Sequence, residues 1–314
     1  MIQRLNNIGL EFKCQLSPDQ DDLIREIGYS TATHKFVLVR SQNHLDAGSF
    51  VAITKKFGLH APQDTWANHK EHPEIFRVTN KVIDGEHMGW FGDRELLWHS
   101  NGVLHSDPED CVSIWCVDPA QGSGGDTWFN DNQLAYEELP DSFRRELDQL
   151  HCVYRPYAEI HGNQGFYNFD AFEAQEFEKM ANRHRPGKNP QGDPNWIEKW
   201  QSSDGIVKKL VVDHPVTGAK GLYFPFTMIS SFKELSQAEG QTVFDRLVEH
   251  VIQDKYVYKH QWSKGDLVFS DQVHSIHKRT PFTGVREVFR TTFWYHLDDP
   301  QKKLAQASLT SHLQ

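Results

Sequence analysis

The sequence predicts an all-β core with flanking helices, arranged as a double-stranded β-helix (jelly roll, cupin-like). Two observations lead to this fold class. Most predicted strands in the second half are short and separated by turns, and the predicted helices lie early in the chain or between groups of strands. The chain has 314 residues, and all-β folds of more than about 200 residues are often single domains. We therefore expect one domain over residues 1–314.

The first third of the chain reads as two helices and two strands that support the sheet. Ser17, Pro18 and Gln20 have the pattern of a capping box with proline at the first helical position, which predicts a helix that ends at Gly28. A second apolar pattern of helical period ends at Gly58. Buried strands are predicted over residues 36–40 and 75–79.

The remaining elements alternate between strands and helices, with one long polar loop. Pro140 is expected to split a helix, and Ser236 with Glu239 is expected to cap another. Residues 180–205 are polar and rich in proline and glycine, so we predict a lid or insertion there. Further strands are predicted over residues 111–117, 256–258, 267–269 and 288–295, and a hairpin over residues 210–224.

Composition excludes several classes of protein. The net charge is −10 and no block of Lys and Arg occurs, which argues against a nucleic-acid or membrane surface. The N-terminus lacks an apolar signal core, and no run of 18 apolar residues is found. The four cysteines have no CxxC spacing, so we expect reduced thiols. These features predict a soluble, cytoplasmic protein.

One stretch, residues 96–105, suggests a metal site at the end of a strand. Residues two apart on a strand point to the same face, so His99 and position 101 are expected to converge. A third ligand must come from far downstream, where His277 follows an apolar strand. Two imidazoles and a carboxylate on one face form the facial triad of non-haem Fe(II) oxygenases. In this chain, however, the carboxylate position holds Asn101.

Four motifs in register resemble the taurine dioxygenase (TauD/TfdA) family of Fe(II)/2-oxoglutarate oxygenases. They are Trp98-His99-Ser100-Asn101, Gly124-Gly125-Asp126-Thr127, the Gly265-Asp266-Leu267-Val268 strand that leads to His277, and Arg286-Glu287-Val288-Phe289-Arg290. The resemblance extends from about Ser17 to His296. It implies that His99 and His277 are metal ligands, that Thr127 and Arg286 hold the distal carboxylate of 2-oxoglutarate, and that Arg290 contacts an anionic group of the substrate.

The resemblance also implies the reaction. Such an enzyme binds Fe(II), 2-oxoglutarate and O2, oxidises an unactivated C–H bond of a small molecule, often by hydroxylation, and releases succinate and CO2. The chemistry of the residues agrees, because the planar guanidinium of arginine binds a carboxylate through paired, charge-assisted hydrogen bonds. We expect a small substrate that is anionic or amino-acid-like. No nucleic-acid or membrane partner is expected. The sequence does not determine whether the protein forms a homo-oligomer.

Asn101 departs from the family pattern, which has Asp or Glu there. Four explanations are open at this stage. In the first, Asn101 is natural and is a weaker oxygen ligand; in the second, it leaves a coordination position for an anion, as in related iron halogenases. In the third, Asn101 is an introduced change. In the fourth, the ligand is Asp107, in the similar triplet His105-Ser106-Asp107. The rival functions are a catalytically silent jelly-roll binding protein with an impaired metal site, and a halogenase or desaturase variant.

Overall fold

The computed structural model describes residues 1–5, 8–61, 67–89, 91–155, 165–167 and 205–296. The helices in these ranges are α1 (Asp21–His34), α2 (Ala47–Lys55), α3 (Asn132–Glu137), α4 (Asp141–Leu147) and α5 (Gln237–Val251), and single 3-10 turns occur at Phe226–Met228 and Asp254–Tyr256. The predicted lid over residues 180–205 lies outside the described residues except for Gly205. None of the described helices is long and apolar enough to cross a membrane.

Strands dominate the described part of the chain. In order they are β1 (Ile2–Arg4), β2 (Leu10–Phe12), β3 (Phe36–Val39), β4 (Gly58–His60), β5 (Phe76–Thr79), β6 (Val82–Ile83), β7 (Glu86–His87), β8 (Leu96–His99), β9 (Cys111–Asp118), β10 (Thr127–Asn130), β11 (His151–Tyr154), β12 (Ile206–Lys209), β13 (Val211–Asp213), β14 (Lys220–Leu222), β15 (Ile229–Phe232), β16 (Val257–His260), β17 (Leu267–Asp271), β18 (His277–Arg279) and β19 (Glu287–Tyr295).

Two sheets form the core. The major sheet has the order β1-β2-β3-β17-β9-β19-β4, with β5 also paired to β19, and the minor sheet has the order β16-β10-β18-β8. Phe129 of the minor sheet packs against Phe36 and Val268 of the major sheet, and the ring centroids of Phe36 and Phe129 lie 4.6 Å apart. Two facing, mostly antiparallel sheets agree with the predicted jelly roll.

The helices cover both sides of this pair of sheets. α1 and α2 pack their apolar faces on the major sheet, where Phe57 stacks on Phe269 with ring centroids 4.3 Å apart. α3, α4 and α5 form a second apolar cluster with the three-stranded sheet β12-β11-β15. Burial of these apolar faces is the main source of helix stability, because isolated helices of this length are marginal in water.

Most predicted elements are confirmed in place. Pro140 separates α3 from α4, and Ser236 and Glu239 form the predicted capping box of α5. The predicted hairpin is the antiparallel pair β13 and β14. The cysteines in the described residues are unpaired, and all except Cys14 are buried.

The first helix differs from its prediction at both ends. Ser17 and Gln20 form a turn, in which the Ser17 N–H donates to Oε1 of Gln20, and the helix begins only at Asp21 without a side-chain cap. At the other end, the helix passes through Gly28 and ends at His34. Gly28 is buried in the helix, and Thr31 and Ala32 continue the same buried face. Tertiary packing therefore outweighs the weak helix propensity of glycine.

Gly58 follows the end of α2, as predicted, but it also begins strand β4. A Cβ atom at this position would lie 1.7 Å from the carbonyl oxygen of Trp294. Glycine is therefore required here by the close approach of β4 to β19 rather than by a left-handed turn.

Asp110 gives the fold a testable pH dependence. Its Oδ2 accepts a hydrogen bond of 3.0 Å from the Tyr295 N–H. Burial raises the pKa of Asp110 to about 7, and the nearby carboxylate of Asp271 adds to the rise. The folded chain therefore holds a proton that the unfolded chain releases near pH 4, so the free energy of unfolding falls as the pH rises from about 4 through 7.

We expect Asp110→Asn to stabilise the protein at pH 8 by about 1–2 kcal/mol, because the amide keeps an acceptor oxygen without the buried charge. The gain should shrink towards pH 4, where both side chains are neutral. Chemical denaturation at a series of pH values measures this difference. Asp245→Asn, which changes an exposed carboxylate, is the control. A gain for Asp110→Asn that is independent of pH would contradict the explanation.

Candidate active site

Two histidines meet on the minor sheet. His99 is the last residue of β8, and His277 is the first residue of β18, where the two residues face each other in antiparallel register. Their ring centroids lie 4.3 Å apart, with an angle of 50° between the ring planes. On its other side, His277 stacks on Phe129 of β10. Residues 178 positions apart in sequence are therefore close enough to bind one ion.

Both imidazoles are held neutral, which is the form that binds a metal. The Nδ1 of His99 lies 2.6 Å from the Leu97 carbonyl oxygen. A carbonyl oxygen only accepts, so Nδ1 carries the proton and Nε2 keeps its lone pair. Burial, together with the charges of Arg290 and Arg279, lowers the pKa of His99 to about 4. Burial, His99 and Arg290 hold the pKa of His277 well below its ordinary value.

Asn101 does not continue the strand, contrary to the prediction that positions 99 and 101 share one strand face. β8 ends at His99, and Asn101 begins a turn in which Gly102 has a φ of +65°. The Asn101 N–H donates to Oε1 of Gln272 at 2.9 Å instead of pairing with a neighbouring strand. The position of Asn101 therefore depends on the side chain of Gln272, the residue that directly follows β17.

The carboxamide of Asn101 is bonded at both ends. Its Nδ2 donates to Oε1 of Gln272 at 3.1 Å, and its Oδ1 accepts a hydrogen bond of 3.0 Å from Nη1 of Arg290. The residue in the third ligand position is thus joined directly to the residue expected to contact the substrate. Gln272 could not be identified from the sequence, because it lies five positions before His277 and resembles an ordinary polar residue.

The second His-Ser-Asp triplet lies in an exposed turn. His105, Ser106 and Asp107 are all exposed, and Nδ1 of His105 lies 3.4 Å from Oε1 of Glu109. Glu109 is buried: burial acts to raise its pKa, but the hydrogen bond and the charge of His105 lower it overall. His105 is thus paired with Glu109, whereas His99 faces His277, which favours His99 over His105 as the centre of the site.

Arg290 lies in β19 with its guanidinium over the ring of Phe76, 4.3 Å from the ring centroid. Burial lowers its pKa to about 10, against a smaller opposite effect of Glu109, so the group remains charged at neutral pH. Its Nε is buried without a hydrogen-bond partner. No carboxylate of the described residues forms an ion pair with it. The charge of Arg290 is therefore available to a ligand.

Thr127 and Arg286 meet at Trp262, a residue that the sequence did not single out. Nε1 of Trp262 donates to Oγ1 of Thr127 at 2.9 Å, and the guanidinium of Arg286 lies 5.7 Å from the centroid of the Trp262 ring. Both Thr127 and Arg286 are buried. Burial lowers the pKa of Arg286 to about 10, and within the described residues Arg286 has no carboxylate partner. A buried cation beside an oriented hydroxyl is a suitable site for a carboxylate.

The two glycines before Thr127 shape this pocket. Gly124 and Gly125 have φ values of +78° and +80°, which residues with a side chain rarely adopt. A Cβ atom on Gly124 would lie 2.0 Å from the Pro281 carbonyl oxygen. The turn therefore fits tightly against residues 281–282 and brings Thr127 to the start of β10, beside Trp262.

The two imidazoles fit a divalent metal ion, and the third donor is a neutral amide. Nε2 of His99 keeps a free lone pair, and Nδ1 of His277 is buried without a hydrogen-bond partner. The described residues include no group of three His, Cys, Asp or Glu side chains that would hold a metal. The candidate donor set is therefore two histidines, with Asn101 in place of a carboxylate.

Comparison with known proteins identifies the family. The sequence profile of the family described as "Taurine catabolism dioxygenase TauD, TfdA family" matches residues 3–292 of this chain. The chain belongs to the TauD/TfdA dioxygenase family. Membership confirms the resemblance drawn from the four motifs, and the two cofactors expected for the family are Fe(II) and 2-oxoglutarate.

Relatives of this protein include several named dioxygenases. It is 28% identical over 305 residues to the alpha-ketoglutarate-dependent 2,4-dichlorophenoxyacetate dioxygenase of Burkholderia sp. (strain RASC), covering 93% of this chain and 90% of that protein. It is 26% identical over 267 residues to pentalenolactone F synthase of Streptomyces arenae, covering 82% and 81%. The alpha-ketoglutarate-dependent sulfate ester dioxygenase of Pseudomonas putida is 26% identical over 272 residues, covering 84% and 78%.

Solved structures share the fold. The crystal structure of AAD-2 in complex with Mn(II) and N-oxalylglycine superposes with a TM-score of 0.68 at 20% identity, covering 94% of this chain and 97% of that one. A second crystal structure, described as a putative alpha-ketoglutarate-dependent taurine dioxygenase from Burkholderia xenovorans, has the same TM-score and identity and covers 94% and 90%. This likeness supports the arrangement of two facing sheets described above.

Proposed function

We propose that this member of the TauD/TfdA family oxidises a C–H bond of a small anionic substrate, with His99, His277 and Asn101 as the metal-binding residues. The observation that carries the proposal is the buried guanidinium of Arg290, which forms no ion pair with a carboxylate of the described residues, although the charge of Glu109 acts on it from a distance. This guanidinium lies close enough to lower the pKa of both histidines. A cation in this position requires an anion to balance it when the site is filled.

The co-substrate end of the site is formed by Thr127, Arg286 and Trp262. The hydroxyl of Thr127 accepts the Trp262 N–H, so its own proton is free to be donated to a carboxylate. The guanidinium of Arg286 supplies further donors and the positive charge. These groups would hold the distal carboxylate of 2-oxoglutarate and thereby fix its other end relative to the two histidines.

The substrate end is formed around Arg290. Its guanidinium would bind a carboxylate, sulfonate or sulfate group of the substrate. This contact would orient the reacting C–H bond of the substrate towards a metal held by His99 and His277. When bound, iron and 2-oxoglutarate supply the chemistry that activates O2, with succinate and CO2 as co-products. The named relatives that act on 2,4-dichlorophenoxyacetate and on sulfate esters support an anionic substrate class.

A second candidate function is a catalytically silent binding protein. One observation favours it: the amide of Asn101 is already bonded to Arg290 and Gln272, so its oxygen is not free for a metal unless Arg290 shares it. A neutral amide is also a weaker donor than a carboxylate for a hard cation. Turnover and metal affinity separate the two candidates.

We expect succinate to form when the protein is supplied with Fe(II), 2-oxoglutarate, O2 and a matching anion from a panel of aryloxyacetates and alkyl sulfates. Arg290→Gln should raise the KM for that anion by about 10- to 100-fold, because a charge-assisted hydrogen bond contributes roughly 1.5–3 kcal/mol. Arg25→Gln, at an exposed site, is the control. If no anion stimulates succinate formation while iron and 2-oxoglutarate bind, the oxygenase proposal fails.

We expect Trp262→Phe to weaken binding of the 2-oxoglutarate analogue N-oxalylglycine by about 5- to 10-fold, because the ring remains but the hydrogen bond to Thr127 is lost. Calorimetry with Mn(II) present measures the affinity. Thr127→Val provides the matched background: if Trp262 acts through the hydroxyl, Trp262→Phe should have little further effect there. Additive losses would show that Trp262 acts only by packing.

We expect Asn101→Asp to raise the affinity for Mn(II) by about tenfold or more, since a carboxylate is the stronger donor, without a gain in turnover. Turnover should not rise, because an aspartate would place an acceptor oxygen against Oε1 of Gln272 and would form an ion pair with Arg290, the residue proposed to bind the substrate. Succinate assays beside metal titrations measure both quantities. A large gain in turnover would instead identify the native protein as the silent relative.

A further inference from the structure

The orientation of the Asn101 amide is fixed by Gln272. The Nε2 of Gln272 donates to the Asp271 carbonyl oxygen at 2.9 Å, and its Oε1 accepts the backbone N–H of Asn101. Gln272 is buried, and its own backbone N–H is bonded to the Asp110 carbonyl oxygen. Its side chain therefore has a single orientation, with the oxygen facing Asn101.

The two hydrogen-bond partners of Asn101 determine the positions of its amide nitrogen and amide oxygen. Oε1 of Gln272 only accepts, so the Nδ2 of Asn101 must face it, and the guanidinium of Arg290 only donates, so Oδ1 must face Arg290. An aspartate at position 101 would place two acceptor oxygens against each other at Gln272. The pocket around position 101 is therefore matched to asparagine, which favours a native asparagine over an accidental loss of the carboxylate.

The amide oxygen of Asn101 has two competing uses. In the structure it accepts a hydrogen bond from Arg290, whereas a divalent cation at His99 and His277 would use the same oxygen as its third donor. A cation near this oxygen is also repelled by the positive charge of Arg290. An anion bound by Arg290 removes both obstacles, because it neutralises the guanidinium and replaces Asn101 as its acceptor.

We propose that Asn101, Gln272 and Arg290 form one coupling unit, through which an anionic substrate and the metal ion each strengthen the binding of the other. This inference rests on the proposed function, in which Arg290 binds the substrate anion. Gln272 is a positioning residue, because it acts only through Asn101. Thermodynamic linkage requires the effect to be reciprocal: the anion tightens metal binding by the same factor as the metal tightens anion binding.

The test is calorimetric titration of the metal-free protein with Mn(II), with and without saturating methanesulfonate. We expect the anion to tighten Mn(II) binding by roughly tenfold in the native protein. Dimethyl sulfone, a neutral molecule of similar shape, should have no effect. The reverse titration, methanesulfonate into protein with and without Mn(II), should give the same factor.

Three variants locate the coupling. In Arg290→Gln, Mn(II) affinity should rise slightly and lose its dependence on the anion. In Asn101→Ala, most of the coupling should disappear, leaving only the electrostatic part. In Gln272→Met, which fills a similar volume without an acceptor, the coupling should fall because the amide is free to turn. If Gln272→Met does not fold, the test relies on Asn101→Ala. This variant is expected to fold, since Asn101 lies in a half-buried turn.

Each outcome has one meaning. Coupling that persists unchanged in Asn101→Ala, or in Arg290→Gln, would overturn the inference, because the anion would then act on the metal directly. Equal Mn(II) affinity with and without the anion in the native protein would also overturn it. A native protein that does not bind Mn(II) at all contradicts the proposed function itself, so the two failures are distinguishable.

Discussion

The antiparallel pairing of β18 with β10 and β8 is the contact on which the site depends. It brings His277 into register with His99 on one side and with Phe129 on the other. Because strand pairing fixes backbone positions through hydrogen bonds, the two imidazoles are pre-positioned by the sheet and not by flexible loops. The minor sheet in turn is held in place by the contact of Phe129 with Phe36 and Val268 of the major sheet.

The chemistry of the site follows from an excess of buried positive charge. Arg286 and Arg290 both lie beside aromatic rings, and no carboxylate of the described residues pairs with either one. The same burial that lowers their pKa values also keeps His99 and His277 neutral. A buried cation that forms no ion pair is unfavourable, so these two guanidinium groups favour anionic ligands at two separate places. One of them is the proposed site for the distal carboxylate of 2-oxoglutarate at Arg286.

The long, strongly patterned elements could be predicted from sequence. α5 with its capping box, the break at Pro140 and the strands β3, β9 and β19 have local signals that agree with their tertiary setting. The short strands β1, β2, β10, β15 and β18 were not predicted, because strands of three or four residues carry too little periodicity to be recognised. The start of α1 was misplaced, since Ser17 and Gln20 use their polar groups in a turn instead of a cap.

The family could be predicted from the sequence, because four motifs occur in a fixed order along the chain. The same motifs named His99, His277, Thr127, Arg286 and Arg290 as candidate site residues. The contacts of Asn101 could not be predicted in this way, because they depend on long-range packing. Its partners Gln272 and Arg290 lie 171 and 189 positions away, and no local pattern predicts a hydrogen bond at that separation. The same holds for Trp262, which reaches Thr127 across 135 positions. Side-chain hydrogen bonds depend on geometry that is set by the packing of the whole fold.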